Sequence, residues 1–114
     1  MHIHERRIGT RFPLELKGYA IINGSNVDLK THDVSQGGAL VKLVTHTLLK
    51  NGTRLLIRLN IGFMGRAIIS RNNTHGNCTL YSLKFDRFDF YSDLILIAYL
   101  IKYEHHQPEG AIIQ

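Results

Sequence analysis

Turn signals punctuate this chain at short intervals, and the stretches between most of them are too short for stable helices. Asn23-Gly24-Ser25-Asn26, Gly37-Gly38, Lys50-Asn51-Gly52-Thr53, Gly62-Phe63-Met64-Gly65 and Asn72-Asn73-Thr74-His75-Gly76-Asn77 are rich in residues that favour tight turns. Asn23-Gly24 is a strong hairpin signal. The intervening segments alternate. Leu14, Leu16, Gly18, Ala20 and Ile22 share one face of a predicted strand over Leu14–Ile22, and Leu55, Ile57 and Leu59 share one face of a strand over Arg54–Ile61. Further strands are predicted over Val27–Val34, Ala39–Val44, Arg66–Arg71 and Cys78–Phe85. Six short strands joined by turns predict a closed antiparallel barrel, because closure removes exposed sheet edges.

The period changes after the sixth strand. From Asp89 to about His105, Phe90, Leu94, Ile97 and Ile101 recur at helical spacing. Asp89 or Ser92 suits the helix start, and Lys102, His105 and His106 suit its C-terminal end. Tyr91, Ile95, Leu96, Tyr99 and Leu100 widen the apolar stripe beyond one contact, which predicts a second partner, for instance a homodimer through this helix. The expected organisation is a polar N-terminal arm over 1–13, a barrel over 14–88, a C-terminal α-helix over 89–106 and a tail over 107–114. The fold class is all-β with an added helix.

The 114 residues form one domain, long enough to bury a core. No apolar run reaches the length of a membrane span, no signal peptide is visible at Met1-His2-Ile3-His4-Glu5-Arg6-Arg7, and a single cysteine, Cys78, precludes an internal disulfide. These features point to a cytoplasmic protein, with Cys78 a small buried filler. The formal net charge of +5 favours anionic partners without choosing among them. Of seven histidines, His2, His4, His105 and His106 lie at the termini and His32, His46 and His75 are scattered without carboxylate partners at ligand spacing, so neither a metal nor another cofactor is expected. No paired acid and base, nucleophile elbow or P-loop appears, so the chain does not read as an enzyme. Exposed aromatic platforms for DNA or RNA are not evident.

Two short patterns carry chemistry. Arg7 and Arg11 are separated by Ile8-Gly9-Thr10, and Arg6 adds a third guanidinium in six residues. Guanidinium forks bind guanine O6 and N7, or pair with phosphate while stacking on a base. Asp33-Val34-Ser35-Gln36-Gly37-Gly38 follows at the end of the second strand. On a strand, Asp33 and Ser35 would project from one face. A carboxylate accepts hydrogen bonds from guanine N1–H and N2–H, Ser35 can bond a base edge or phosphate, and Gly38 would clear room for a flat ligand. Alone, the first pattern is more often a solvated basic tail and the second a serine turn. In this order, on an arm and a barrel strand, they favour a ligand site.

Together, RxxxR and DxSxxG resemble the signature of the PilZ domain, a bacterial receptor for cyclic di-GMP. The resemblance covers Arg6 to about Phe85. It implies a six-stranded antiparallel β-barrel with an appended helix. It also implies a cyclic di-GMP site at Arg6, Arg7, Arg11, Asp33, Ser35, Gly37 and Gly38, with the arginine arm folding over the ligand. Family members with an extra arginine before RxxxR tend to bind an intercalated ligand dimer, so Arg6 implies two ligands per protomer. The implied output is a change of arm position read by a partner in motility or exopolysaccharide control. The alternative is a structural or adaptor barrel that does not bind the ligand.

Overall fold

The computed structural model describes residues 11–45, 47–76, 78–88 and 94–103. Six strands close into one antiparallel barrel: β1 (Lys17–Ile22), β2 (Ser25–Val34), β3 (Gly38–Leu43), β4 (Arg54–Leu59), β5 (Met64–His75) and β6 (Cys78–Phe88). Their order around the barrel is β1-β2-β3-β6-β5-β4, and β1 pairs with β4 to complete it. A helix, α1, covers 94–103.

The predicted alternation fills the core. Leu14, Leu16, Ala20 and Ile22 point inward from the first segment, and Leu55, Ile57 and Leu59 from β4. Val41 and Leu43 of β3, Ile69 of β5 and Tyr81 and Leu83 of β6 meet them. Ladder pairing begins only at Lys17, but the preceding residues still follow β2. Thr31 is fully buried, and its hydroxyl donates to Leu14 O at 2.6 Å and accepts from Leu16 N at 2.7 Å. Thr31 N donates to Leu16 O at 2.8 Å. One buried hydroxyl thus satisfies two backbone groups that a core position would otherwise strand. The β1–β2 hairpin turns at Asn23 and Gly24, both at positive φ, as a tight two-residue hairpin requires.

Several expected boundaries shift. Asn72–His75, read from composition as turn, continue β5, because the long β5–β6 ladder pairs Asn72 with Tyr81 and His75 with Cys78. The expected Gly62–Gly65 turn is also shorter. Phe63 is fully buried, its ring 5.0 Å from that of Phe85, and Met64 already opens β5. Cys78 is half-buried, not a core filler.

The helix packs with a different face from the one its spacing suggested. Leu96 and Leu100 are buried in the barrel core, with Tyr99 and Tyr103 partly covered, whereas Leu94 and Ile101 are 46% and 49% exposed. A helix apolar around most of its circumference has no single stripe for periodicity to select. Leu96 and Leu100, counted above as surplus, are satisfied within the fold; Phe90 and Tyr91 lie outside the described residues. Ile95 reaches over the β4–β5 turn, where its Cδ1 would lie 3.6 Å from a Cβ at Gly62.

Candidate functional site

The site begins with an irregularity in β2. Leu29 and Thr31 point into the barrel. Simple alternation would send Asp33 inward as well. Instead the β2–β3 register shifts between Thr31 and Asp33: Thr31 pairs with Val41, Asp33 with Leu40 and Val34 with Ala39. His32 is the extra residue of a β-bulge. The bulge turns Asp33 outward and gives the fully buried core position to Val34. Burying an unpaired carboxylate would be costly, so the bulge serves fold and site at once.

The chain N-terminal to β1 lies against this bulge. Phe12 N donates to Val34 O at 2.9 Å and Val34 N to Phe12 O at 3.0 Å. That backbone bridge sets Arg11 beside Asp33, and Arg11 Nη1 meets Asp33 Oδ1 at 3.1 Å. Two charged residues 22 apart in sequence thus form one cluster on the outer face. Both stay in contact with solvent, the Arg11 side chain 55% and the Asp33 side chain 22% exposed. Arg6 and Arg7 lie outside the described residues.

Ser35 and the glycines sit differently from what strand alternation predicts, because β2 ends at Val34. Ser35 is buried and turned into the β2–β3 connection. Its N donates to Gly38 O at 2.8 Å, and its Oγ accepts from Gly38 N at 3.1 Å and donates to Gly38 O at 3.2 Å. Gly37 O accepts from Phe85 N at 2.9 Å. A Cβ on Gly38 would collide with the Leu83 carbonyl of β6, so the close approach of β3 to β6 by itself requires glycine there. Ser35, Gly37 and Gly38 hold the turn that presents Asp33. Room for a flat ligand is not what the Gly38 geometry displays.

Two aromatic residues complete the surroundings of the pair. Phe12 and Tyr103 make an edge-to-face ring contact with centroids 5.8 Å apart, and Tyr103 Oη donates to Pro13 O at 3.1 Å. At Tyr103, α1 is thereby fastened to the two residues that follow Arg11. An aromatic directly after the RxxxR string was the available signal; Tyr103, 90 residues beyond Pro13, had none. Farther along the same outer face, Glu15 Oε2 accepts from Lys30 Nζ at 3.0 Å. The Glu15 carboxyl is held below the usual carboxylate range by that hydrogen bond and by the Lys30 charge, with Lys17 and His32 adding to the effect.

Among the described residues, no group of three or more His, Cys, Asp or Glu side chains is placed to hold a metal ion. No described helix is long and apolar enough to cross a membrane. The outer cluster offers one guanidinium, one carboxylate and a rigid turn, a set suited to a ligand with both acceptor and donor edges.

A family model described as the PilZ domain matches residues 4–102. No curated protein matches the chain. Among solved structures, the inhibitor of motility MotI/DgrA of Bacillus subtilis superposes with a TM-score of 0.72 at 14% identity. That match covers 82% of this chain, which spans only 48% of the inhibitor's. The PilZ domain of CeSA from a cellulose-synthesizing bacterium superposes with a TM-score of 0.65 at 22% identity, covering 85% of this chain and 100% of the other. At these identities the two neighbours show the shared fold.

Proposed function

Because the chain belongs to the PilZ domain family, we propose that it is a cytoplasmic receptor for cyclic di-GMP and not an enzyme, with Arg11 and Asp33 at the centre of the site. The observation that carries this reading is the Arg11–Asp33 pair, held by the Phe12–Val34 bridge. Cyclic di-GMP presents guanine N1–H and N2–H donors, O6 and N7 acceptors, and two phosphates. Asp33 accepts from the donor edge. Arg11 turns from Asp33 to the acceptor edge or a phosphate. An exposed ion pair contributes roughly 0–1 kcal/mol, so a ligand satisfying both partners displaces it at little cost. Arg7 and Arg6 then close over the ligand, and Arg6 admits a second, stacked molecule.

The contacts of Tyr103 suggest how binding is reported. Phe12 and Pro13 anchor the arm, and both touch Tyr103 of α1. A ligand that repositions Arg11 pulls on this anchor, and the arm with the helix around Tyr103 becomes the surface that a partner reads. Control of motility or exopolysaccharide production fits the neighbours, one described as an inhibitor of motility and the other as a PilZ domain from a cellulose-synthesizing bacterium. The exposed Leu94, Ile95 and Ile101 side chains support a homodimer through the helix. A non-binding adaptor barrel has one observation in its favour: packing alone accounts for Ser35 and Gly38. Calorimetric titration with cyclic di-GMP decides between them. Binding that Arg11→Ala weakens supports the receptor; no heat at low salt leaves the adaptor.

A further inference from the structure

Three lysines face one another across the outer surface of the barrel. Lys17 of β1 pairs with Lys30 of β2, and Lys30 pairs with Lys42 of β3. Like charges directly opposite on neighbouring strands destabilise a sheet, so this row works against the fold. Lys30 is offset by Glu15, but among the described residues neither Lys17 nor Lys42 has a carboxylate within ion-pair distance. The row lines a groove of about 440 Å³ with Tyr19, Asp28 and Val44. A second concavity of about 400 Å³ adjoins it, sharing Lys42 and Val44 and adding Leu48. Val44 and Leu48 are 64% and 59% exposed, among the most exposed large apolar side chains described. Three positions along β2 separate Lys30 from Asp33, about 10 Å at the usual strand rise.

We infer that the Lys17–Lys30–Lys42 row with Val44 and Leu48 is a docking surface for an acidic segment of a partner protein that carries apolar anchors. Charge complementarity selects an anionic partner. The concave shape favours an extended segment over a flat bilayer, which would touch only the rims. The apolar shoulder asks for hydrophobic side chains beside the acidic ones, which a free anion lacks. Asp28, on the groove wall, penalises a run of unbroken negative charge and so favours acidic residues interleaved with apolar ones.

The test uses the full chain and fluorescence anisotropy with three labelled probes: a peptide alternating glutamate and leucine, its glutamine counterpart, and phosphatidylglycerol vesicles. The acidic peptide should bind, and the glutamine peptide should bind about tenfold more weakly or not at all. The double variant Lys17→Gln/Lys42→Gln should lose about tenfold in peptide affinity, and Arg66→Gln on the far side of the barrel should lose almost none. Val44→Ser should weaken the acidic peptide without touching the salt dependence. The double variant should melt no lower than wild type, because the repulsion relieved on both sides of Lys30 outweighs the screened, exposed attraction of Lys17 for Glu15. Absence of peptide binding, equal losses in the double variant and Arg66→Gln, vesicle binding in place of peptide binding, or a lower melting temperature of the double variant would each overturn the inference. Cyclic di-GMP titrated into the same proteins keeps the two readings apart: its failure to bind wild type would remove the receptor and leave the docking surface standing.

Discussion

β4 and β2 differ in how faithfully they follow their own period. In β4, Arg54–Leu59, exposed and buried residues alternate without exception. In β2, Ser25–Val34, the alternation holds through Thr31 and then slips by one residue at His32. Both strands are antiparallel to both neighbours and both contribute to one core. The unbroken strand buries Leu55, Ile57 and Leu59 inward and turns Arg54, Leu56 and Arg58 to solvent. The broken one places a carboxylate where the N-terminal segment can reach it. The candidate site lies where the regular pattern yields.

The largest effect is expected in β4. Ile57, buried between Ala20 and Gly65 on its neighbouring strands, should lose about 2–5 kcal/mol of stability on Ile57→Ala, measured by urea unfolding, with ligand affinity unchanged. A smaller loss, roughly 1–3 kcal/mol, is expected for Thr31→Val, which keeps the shape and strands the Leu14 carbonyl and Leu16 amide. If the valine variant is as stable as wild type, the buried hydroxyl is not what fastens the N-terminal segment.

Deleting His32 would make β2 as regular as β4. The ladder becomes regular, Asp33 still faces outward, and the fold should persist. The bend that aims Asp33 at Arg11 is lost, so cyclic di-GMP affinity should fall by the equivalent of one base contact, roughly 1–3 kcal/mol. Unaltered affinity would mean that the bulge is a packing device alone. The smallest effect belongs to Glu15. Its carboxyl is held low in the folded protein by Lys30, so the stability it contributes is present above the ordinary carboxylate range and fades as pH falls through the lowered value. The group is exposed, so Glu15→Gln should flatten the acid limb of a melting-temperature profile only slightly.

The barrel was legible because turn residues and two-residue alternation report local geometry directly. Leu55, Ile57 and Leu59 needed no tertiary information to be placed. The end of β5 was not legible, since Asn72–His75 are strand only through their partners on β6. The packing face of the helix was hidden for the opposite reason: with apolar residues on nearly every side, only the barrel's shape decides that Leu96 and Leu100 go in and Leu94 and Ile101 stay out. At the candidate site, the bulge that sets the geometry has no local signal in the sequence. Strand alternation placed Asp33 and Ser35 on one face, whereas the bulge turns Asp33 out and the end of β2 releases Ser35 into the turn.

In the proposed site, Asp33 reads a guanine edge while Arg11 serves the acceptor edge or phosphate. Titrating wild type and Asp33→Ala with cyclic di-GMP and cyclic di-AMP side by side tests it most directly. Asp33→Ala should bind cyclic di-GMP more weakly by roughly 1–3 kcal/mol and discriminate less against cyclic di-AMP, with its melting temperature nearly unchanged. A variant that loses cyclic di-GMP yet rejects cyclic di-AMP as strongly as wild type, or a wild type that binds neither, would contradict it.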